Sequence, residues 1–206
     1  MSSSGAAAGL GLLSAASWGG SDFAGGWGAR RASSLLVTAS GQIVSLAALL
    51  IVCLALRVAL PGTSYLIYGA IGGFEGAIAL AVFYRALAMG VMGLTAALTG
   101  VMTALVAVAF DIVNSGWPNA ITFAGLAIGV VAIWLISQSP KSEGADTSRS
   151  ALLLGAGAGV GFGAQLILFK AAAAGGVLWA LTSGRVAGVG AILLVIAIAP
   201  PVGPWR

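Results

Sequence analysis

The sequence predicts an all-α membrane protein, a polytopic bundle of about seven transmembrane helices, and three observations lead there. Charged residues make up 7% of the 206 positions and hydrophobic ones 60%, with a mean hydropathy of +1.09. An ordinary soluble domain carries about 25% charged residues, and a fold of this size could not clothe its surface in water with so few. The apolar runs recur at roughly 20 residues, the length a helix needs to cross ~30 Å of hydrocarbon at ~1.5 Å rise per residue. Glycine, present 32 times, recurs at i, i+4 in Gly69/Gly73, Gly72/Gly76 and Gly155/Gly159/Gly163. That spacing gives flat helix faces for close packing in lipid.

The spans follow in order. The first is expected from about Ala8 to Ala29, stopped by Arg30-Arg31. Its start has no basic stretch, so it reads as a spanning helix rather than a cleaved signal peptide. The second covers Leu35 to Leu56, ending at Arg57 before the Pro61-Gly62 turn. The third runs from Tyr65 to Tyr84, closed by Arg85, and the fourth from Met92 to Phe110, ending at Asp111. Asn119 is placed to cap the fifth, which runs to Ile136. The polar stretch Gln138–Arg149 then separates residues 1–137 from residues 150–206. Ala151 to Lys170 and Val177 to Ala199 are the sixth and seventh spans, the last ended by Pro200-Pro201.

A shift of about 144 positions lays Leu10 on Leu154, Trp18 on Phe162, Gly19 on Gly163, Leu35 on Trp179 and Ala47 on Ala191. One offset thus superimposes the first two spans on the sixth and seventh. A five-span unit followed by the start of another is odd-numbered, so the second copy must be inverted in the membrane, an architecture common among secondary transporters.

Composition excludes several chemistries. With no histidine, His-ligated zinc sites, Ser-His-Asp triads and Cys-His nucleophiles cannot be built. The single cysteine, Cys53, lies in an apolar run and reads as a small hydrophobe. The acids are Asp22, Glu75, Asp111, Glu143 and Asp146, too few for a carboxylate metal cage. The nine Lys and Arg are scattered singly and read as topology signals rather than a nucleic-acid patch. The stretch Gly159-Val-Gly161-Phe-Gly-Ala164 matches a dinucleotide fingerprint in letters, but it lies within an apolar helix with no acid following. It reads as helix packing. No enzyme, metal or cofactor is expected.

Several stretches resemble the EamA-type branch of the drug/metabolite transporter superfamily. They are WGGSDFAGG (18–26), FYRALAMGVMGLTAAL (83–98), FAGLAIGVVAIWLIS (123–137), and the pair LLLGAGAGVGFGAQLILFKAA and LWALTSGRVAGVGAILL. The resemblance covers nearly the whole chain. It implies ten helices in two inverted five-helix repeats that move small organic metabolites or drugs across the plasma or inner membrane by alternating access. Two features depart from the family. Its fourth helix usually carries a mid-helix Pro and a Gly-Glu pair, whereas here Gly100 stands near the Pro position and there is no Glu. The second repeat also stops after two helices, so a homodimer or further helices are expected to complete it.

Ionisable groups near mid-bilayer cost several kcal/mol and are functional candidates by default. Asp22 lies about two turns inside Arg30-Arg31, with Trp18 one turn away on the same face. Glu75 sits at the centre of the third span among the paired glycines, and Arg185 about two turns into the seventh. Family members often place an arginine in the second helix of a repeat, which Arg185 matches; the first-repeat equivalent is Gly41, beside Gln42. In the expected solute cavity Arg185 holds a carboxylate and Glu75 or Asp22 a cation or proton. The competing reading is a structural Glu75–Arg185 pair, with Asp22 snorkelling to the interface. Gln165 is expected to face protein and is a candidate for touching solute, and Trp18 either lines the cavity or simply packs. Thr95, Thr99 and Thr103 form a hydroxyl stripe that either lines a pathway, with Thr99 at its centre, or bonds its own i−4 carbonyls. Arg85 and Lys170 are expected at helix ends, with Tyr84 as an interfacial anchor.

Two other functions compete with transport by this chain. One is a non-transporting membrane subunit that needs a partner, the other a small proton-coupled drug antiporter resting on Glu75. Cations after odd-numbered spans outnumber those after even ones, which puts the N-terminus outside. The resemblance implies a cytoplasmic N-terminus, so orientation stays open. The Gln138–Arg149 stretch is polar, Ser/Gly-bearing and free of apolar periodicity. Limited proteolysis of membrane vesicles should therefore cut it before any other interior site; first cleavage in the Arg57–Thr63 turn would contradict the division into halves.

Overall fold

A computed structural model describes residues 3–117, 119–137 and 148–200, and these form seven helices with no strand among them. They are α1 (Ser3–Ala29), α2 (Ser34–Ala55), α3 (Thr63–Met89), α4 (Met92–Ser115), α5 (Ala120–Ser137), α6 (Arg149–Ala173) and α7 (Val177–Ile198). Five of them, α2, α3, α4, α6 and α7, are long and apolar enough to cross a membrane, so the chain is a multi-pass membrane protein. The sequence predicts seven spans. α1 has the length, but its serines, glycines and Asp22 dilute it, and in α5 the apolar stretch is Phe123–Ala132.

The helix ends are set by local chemistry. Ser33 and Ser148 cap α2 and α6 by accepting from the amides of Leu35 (3.3 Å) and Ala151 (3.1 Å). α5 starts right after Asn119, whose carbonyl accepts from the Phe123 amide at 3.2 Å. Gly116 leaves α4 at φ 87° and Gly176 enters α7 at φ 121°, backbone regions that side chains disfavour. Three helices outrun their expected ends by three residues or more, α3 to Met89 past Arg85, α4 to Ser115 past Asp111 and α6 to Ala173 past Lys170. Arg85 and Asp111 are exposed on the helix flank, where a charge is solvated without ending the helix. Of the polar stretch between the halves, positions 138–147 lie outside the described residues, while Arg149 belongs to α6.

The chain alternates between two membrane faces. Arg30 donates to the Gly90 carbonyl at 3.0 Å, joining the ends of α1 and α3. Lys170 pairs with Asp111 at 3.0 Å, joining α6 to the end of α4, and Trp179 donates to the Val58 carbonyl at 3.0 Å beside the end of α2. α6 therefore runs opposite to α1, and α7 opposite to α2.

α3 is the hub. Its glycines lie on two adjoining faces, Gly69 and Gly73 toward α7 and Gly72 and Gly76 toward α6. A methyl added at Gly73 would run into the backbone of Gly184, so α3 and α7 touch main chain to main chain. Gly188 continues the seam against the Gly73 carbonyl and Ala77. Ala39, Ala77, Ala81 and Ile192 fill the space between α2, α3 and α7. Phe83, Leu87 and Ala158 pack α3 on α6, with Phe83 edge-on to Phe162 at 5.7 Å. Cys53 is buried, with its sulfur 3.5 Å from the Thr182 hydroxyl.

The third glycine row, Gly155, Gly159 and Gly163, receives α4. The Thr99 hydroxyl shares its one proton between the Thr95 carbonyl of its own helix (2.9 Å) and the Gly155 carbonyl (2.9 Å). Thr103 repeats this toward Thr99 (2.9 Å) and Gly159 (3.2 Å). The i−4 bonding expected of the threonine stripe is present at Thr99 and Thr103, whose hydroxyls also tie two parallel helices together, but not at Thr95, whose buried hydroxyl has no hydrogen-bond partner.

Gly73→Ala should lower the melting temperature of the detergent-purified protein, since overpacking costs about 1–3 kcal/mol. Gly100→Ala, whose methyl meets nothing within 4 Å, should leave it unchanged or raise it. Equal melting of wild type and Gly73→Ala would remove the α3–α7 contact from its central place.

Candidate functional site

Five helices converge on one cavity. α1, α2, α3, α6 and α7 enclose about 330 Å³, with Trp18, Asp22, Gln42, Tyr84, Gln165 and Arg185 among its walls. A smaller space of about 180 Å³ adjoins it, sharing Trp18, Asp22, Phe162 and Gln165 and reaching Thr99 and Thr103. Of the six residues singled out in the sequence, Trp18, Asp22, Gln165, Thr99 and Arg185 therefore line one continuous region.

Each side chain is placed by the packing beneath it. Arg185 stands in the third turn of α7, between Gly184 and Gly188, which hold α7 close to α3. Its Nη1 donates to Gln42 Oε1 at 2.7 Å, and Gln42 is 2% exposed. A guanidinium carries five N–H groups, and this bond is the one it makes among the described residues. The others are directed by a planar fork suited to a carboxylate or another oxyanion. Gln42 fixes the fork while keeping its full positive charge uncancelled.

Asp22 forms the opposite wall, half-buried on α1, with no hydrogen bond or ion pair among the described residues. Tyr84 lines the same cavity as Asp22 and Arg185. Its ring lies over α1 where Gly25 has no side chain to block it. The Gln165 amide fills the space above Gly76, is buried, and makes no hydrogen bond among the described residues. Trp18 is half exposed, so the α1 wall is the open one. The result is a cationic wall, an anionic wall and an apolar lining from Trp18, Phe162 and Phe169.

Glu75 departs from the expectation. It forms no pair with Arg185, whose partner is Gln42, and it does not line this cavity. One residue before Gly76 on the helix, it projects to the other flank of the α3–α6 seam, over Gly161. Tyr84 departs too. Expected as an interfacial anchor, it is buried, because α3 continues five residues beyond it. Gln42 did not stand out in the sequence beyond its place beside Gly41. The available signal was an amide in an otherwise apolar span, facing the helix that carries the mid-membrane arginine.

No family model, curated protein or solved structure matches this chain.

Gln42→Leu would strip Arg185 of its acceptor and should destabilise the protein by about 1.5–3 kcal/mol, read as a lowered melting temperature. Adding Arg185→Met to that variant should restore at least half of the loss, because an uncompensated charge costs more than an apolar pair. A fully additive double variant would mean that the two side chains do not act on each other.

Proposed function

We propose that this chain is an EamA-type solute transporter component of the plasma or inner membrane, moving small organic solutes by alternating access between inverted repeats. The observation that carries the proposal is Arg185, deep in the membrane, held by one neutral acceptor and turned into a cavity of solute size. An arginine kept only for structure would be neutralised by a carboxylate, because charge in hydrocarbon is costly. Here Asp22 stands across the cavity instead. The solute's carboxylate docks on the Arg185 fork, its apolar body lies on Trp18, Phe162 and Phe169, and Asp22 takes a cationic group or a proton. The opposed directions of α1 and α6, and of α2 and α7, support the inverted relation between repeats. The glycine seams of α3 give one bundle a smooth surface on which to rock against the other.

A second reading, a membrane subunit completed by a partner, is favoured by α1. Gly9, Gly11, Gly19 and Gly20 have no atom within 4 Å where a side chain would project, and Leu10, Leu12 and Leu13 are exposed. Flux by the purified chain alone in liposomes, as against flux only with a partner present, separates the two.

Benzoate serves as the probe for the site itself. It should raise the melting temperature of the purified protein, whereas benzyl alcohol of similar size should not. Arg185→Ala should weaken benzoate binding at least tenfold, about 1.4 kcal/mol, with membrane insertion unchanged. Arg185→Lys should fall between them, because a point charge cannot reproduce the fork. Benzoate binding by Arg185→Ala equal to wild type would refute an anion site there.

A further inference from the structure

On the opposite flank of the α3–α6 seam lies a groove of about 280 Å³, open at the outer surface of the bundle, whose walls are Phe74, Ile78, Ala79 and Val82 of α3 with Gly157, Ala158 and Gly161 of α6. Glu75 is the one polar side chain in it. Its Oε1 lies where Gly161 offers no side chain, 2.6 Å from the position a methyl there would take. Its Oε2 is buried and has no hydrogen-bond partner. No titratable or charged group of a neighbouring helix faces it among the described residues. Asp22 and Arg185 line the other cavity, Arg30 caps the end of α3, and Lys170 is paired with Asp111. Arg57, Arg85 and Arg149 are exposed near helix ends.

A carboxylate left bare at this depth costs several kcal/mol. Its position is nevertheless built in, with a glycine opposite and Ala79 beside it. A cation that arrives with its own apolar body meets both demands. Its ammonium pairs with the carboxylate, and its hydrocarbon lies on Phe74, Ile78 and Val82, entering from the lipid side.

We propose that the Glu75 groove is a second binding site, for small amphiphilic organic ammonium ions, independent of the Arg185 cavity. The two sites are kept apart because α3 turns Glu75 to one flank and Gly76, with the Gln165 amide above it, to the other. The proposal uses no residue of the Arg185 cavity and stands or falls without the transport reading.

The test is calorimetric titration of 4-phenylbutylammonium into the full chain in phosphatidylcholine nanodiscs, with empty nanodiscs as blank and neutral 4-phenylbutanol as the matched probe. Wild type should bind the ammonium at least tenfold more tightly than the alcohol. Glu75→Gln, which keeps shape and removes charge, should abolish that preference while leaving alcohol binding unchanged. Arg185→Ala should leave the ammonium isotherm as in wild type even where it removes benzoate binding, so the two sites fail separately. Should Glu75→Gln not fold, wild type alone decides. Lowering the pH should weaken ammonium binding, because a protonated carboxyl offers no charge, and should leave the alcohol unaffected. Equal affinity for ammonium and alcohol, or ammonium binding insensitive both to pH and to Glu75→Gln, would overturn the proposal.

Discussion

Everything in this bundle depends on how near α3 comes to its two neighbours. Between helices in lipid there is no hydrophobic drive to association, so stability comes from dispersion over closely matched surfaces and from interhelical polar contacts. Gly73 against Gly184 brings main chain onto main chain, and Gly76 admits the Gln165 amide. With α7 seated at that distance, Arg185 reaches Gln42 across the bundle. Wider spacing would leave the guanidinium without its acceptor, and the cationic wall would lose its fixed geometry.

The same closeness sorts the polar side chains. Each polar side chain within the bilayer must be satisfied by protein, by water in a cavity or by a ligand. Thr99 and Thr103 are satisfied by carbonyls of both α4 and α6, and they serve packing first. Asp22 and Gln165 have no such partners and meet at a common space. Glu75 is alone on the far flank. A bundle of so few polar groups thereby presents two chemically distinct surfaces, one with charges of both signs and one with a single carboxylate.

The helices were legible because spans and their interruptions are written in composition. Arg30-Arg31 and Pro61-Gly62 mark helix breaks that the structure also has. The glycine rows were legible as packing faces, since spacing at i, i+4 fixes a face whatever it meets. What each row would meet was not legible: Gly69/Gly73 and Gly72/Gly76 differ by a rotation of one helix position, yet face different helices. That rotation is also why Glu75 was grouped with Arg185. Depth along the membrane can be read by counting residues, but azimuth around a central helix depends on neighbours far away in sequence. Gln42 and Tyr84 were missed for the same reason, their partners lying 143 residues away for Gln42 and, for Tyr84, on a helix that ends more than fifty positions earlier.

The threonine bridges between α4 and α6 have a mechanical consequence. Both helices run in the same direction, and the small residues repeat every fourth position on each, Thr95/Thr99/Thr103 facing Gly155/Gly159/Gly163. A slide of a fraction of a turn breaks both bridges together and drives side chains into the facing backbone. A slide of one four-residue repeat, about 6 Å at ~1.5 Å rise per residue, brings each hydroxyl to the next glycine carbonyl and restores the fit. The pair thus behaves as a detent, indifferent to small forces along its length and stable again only one notch further on.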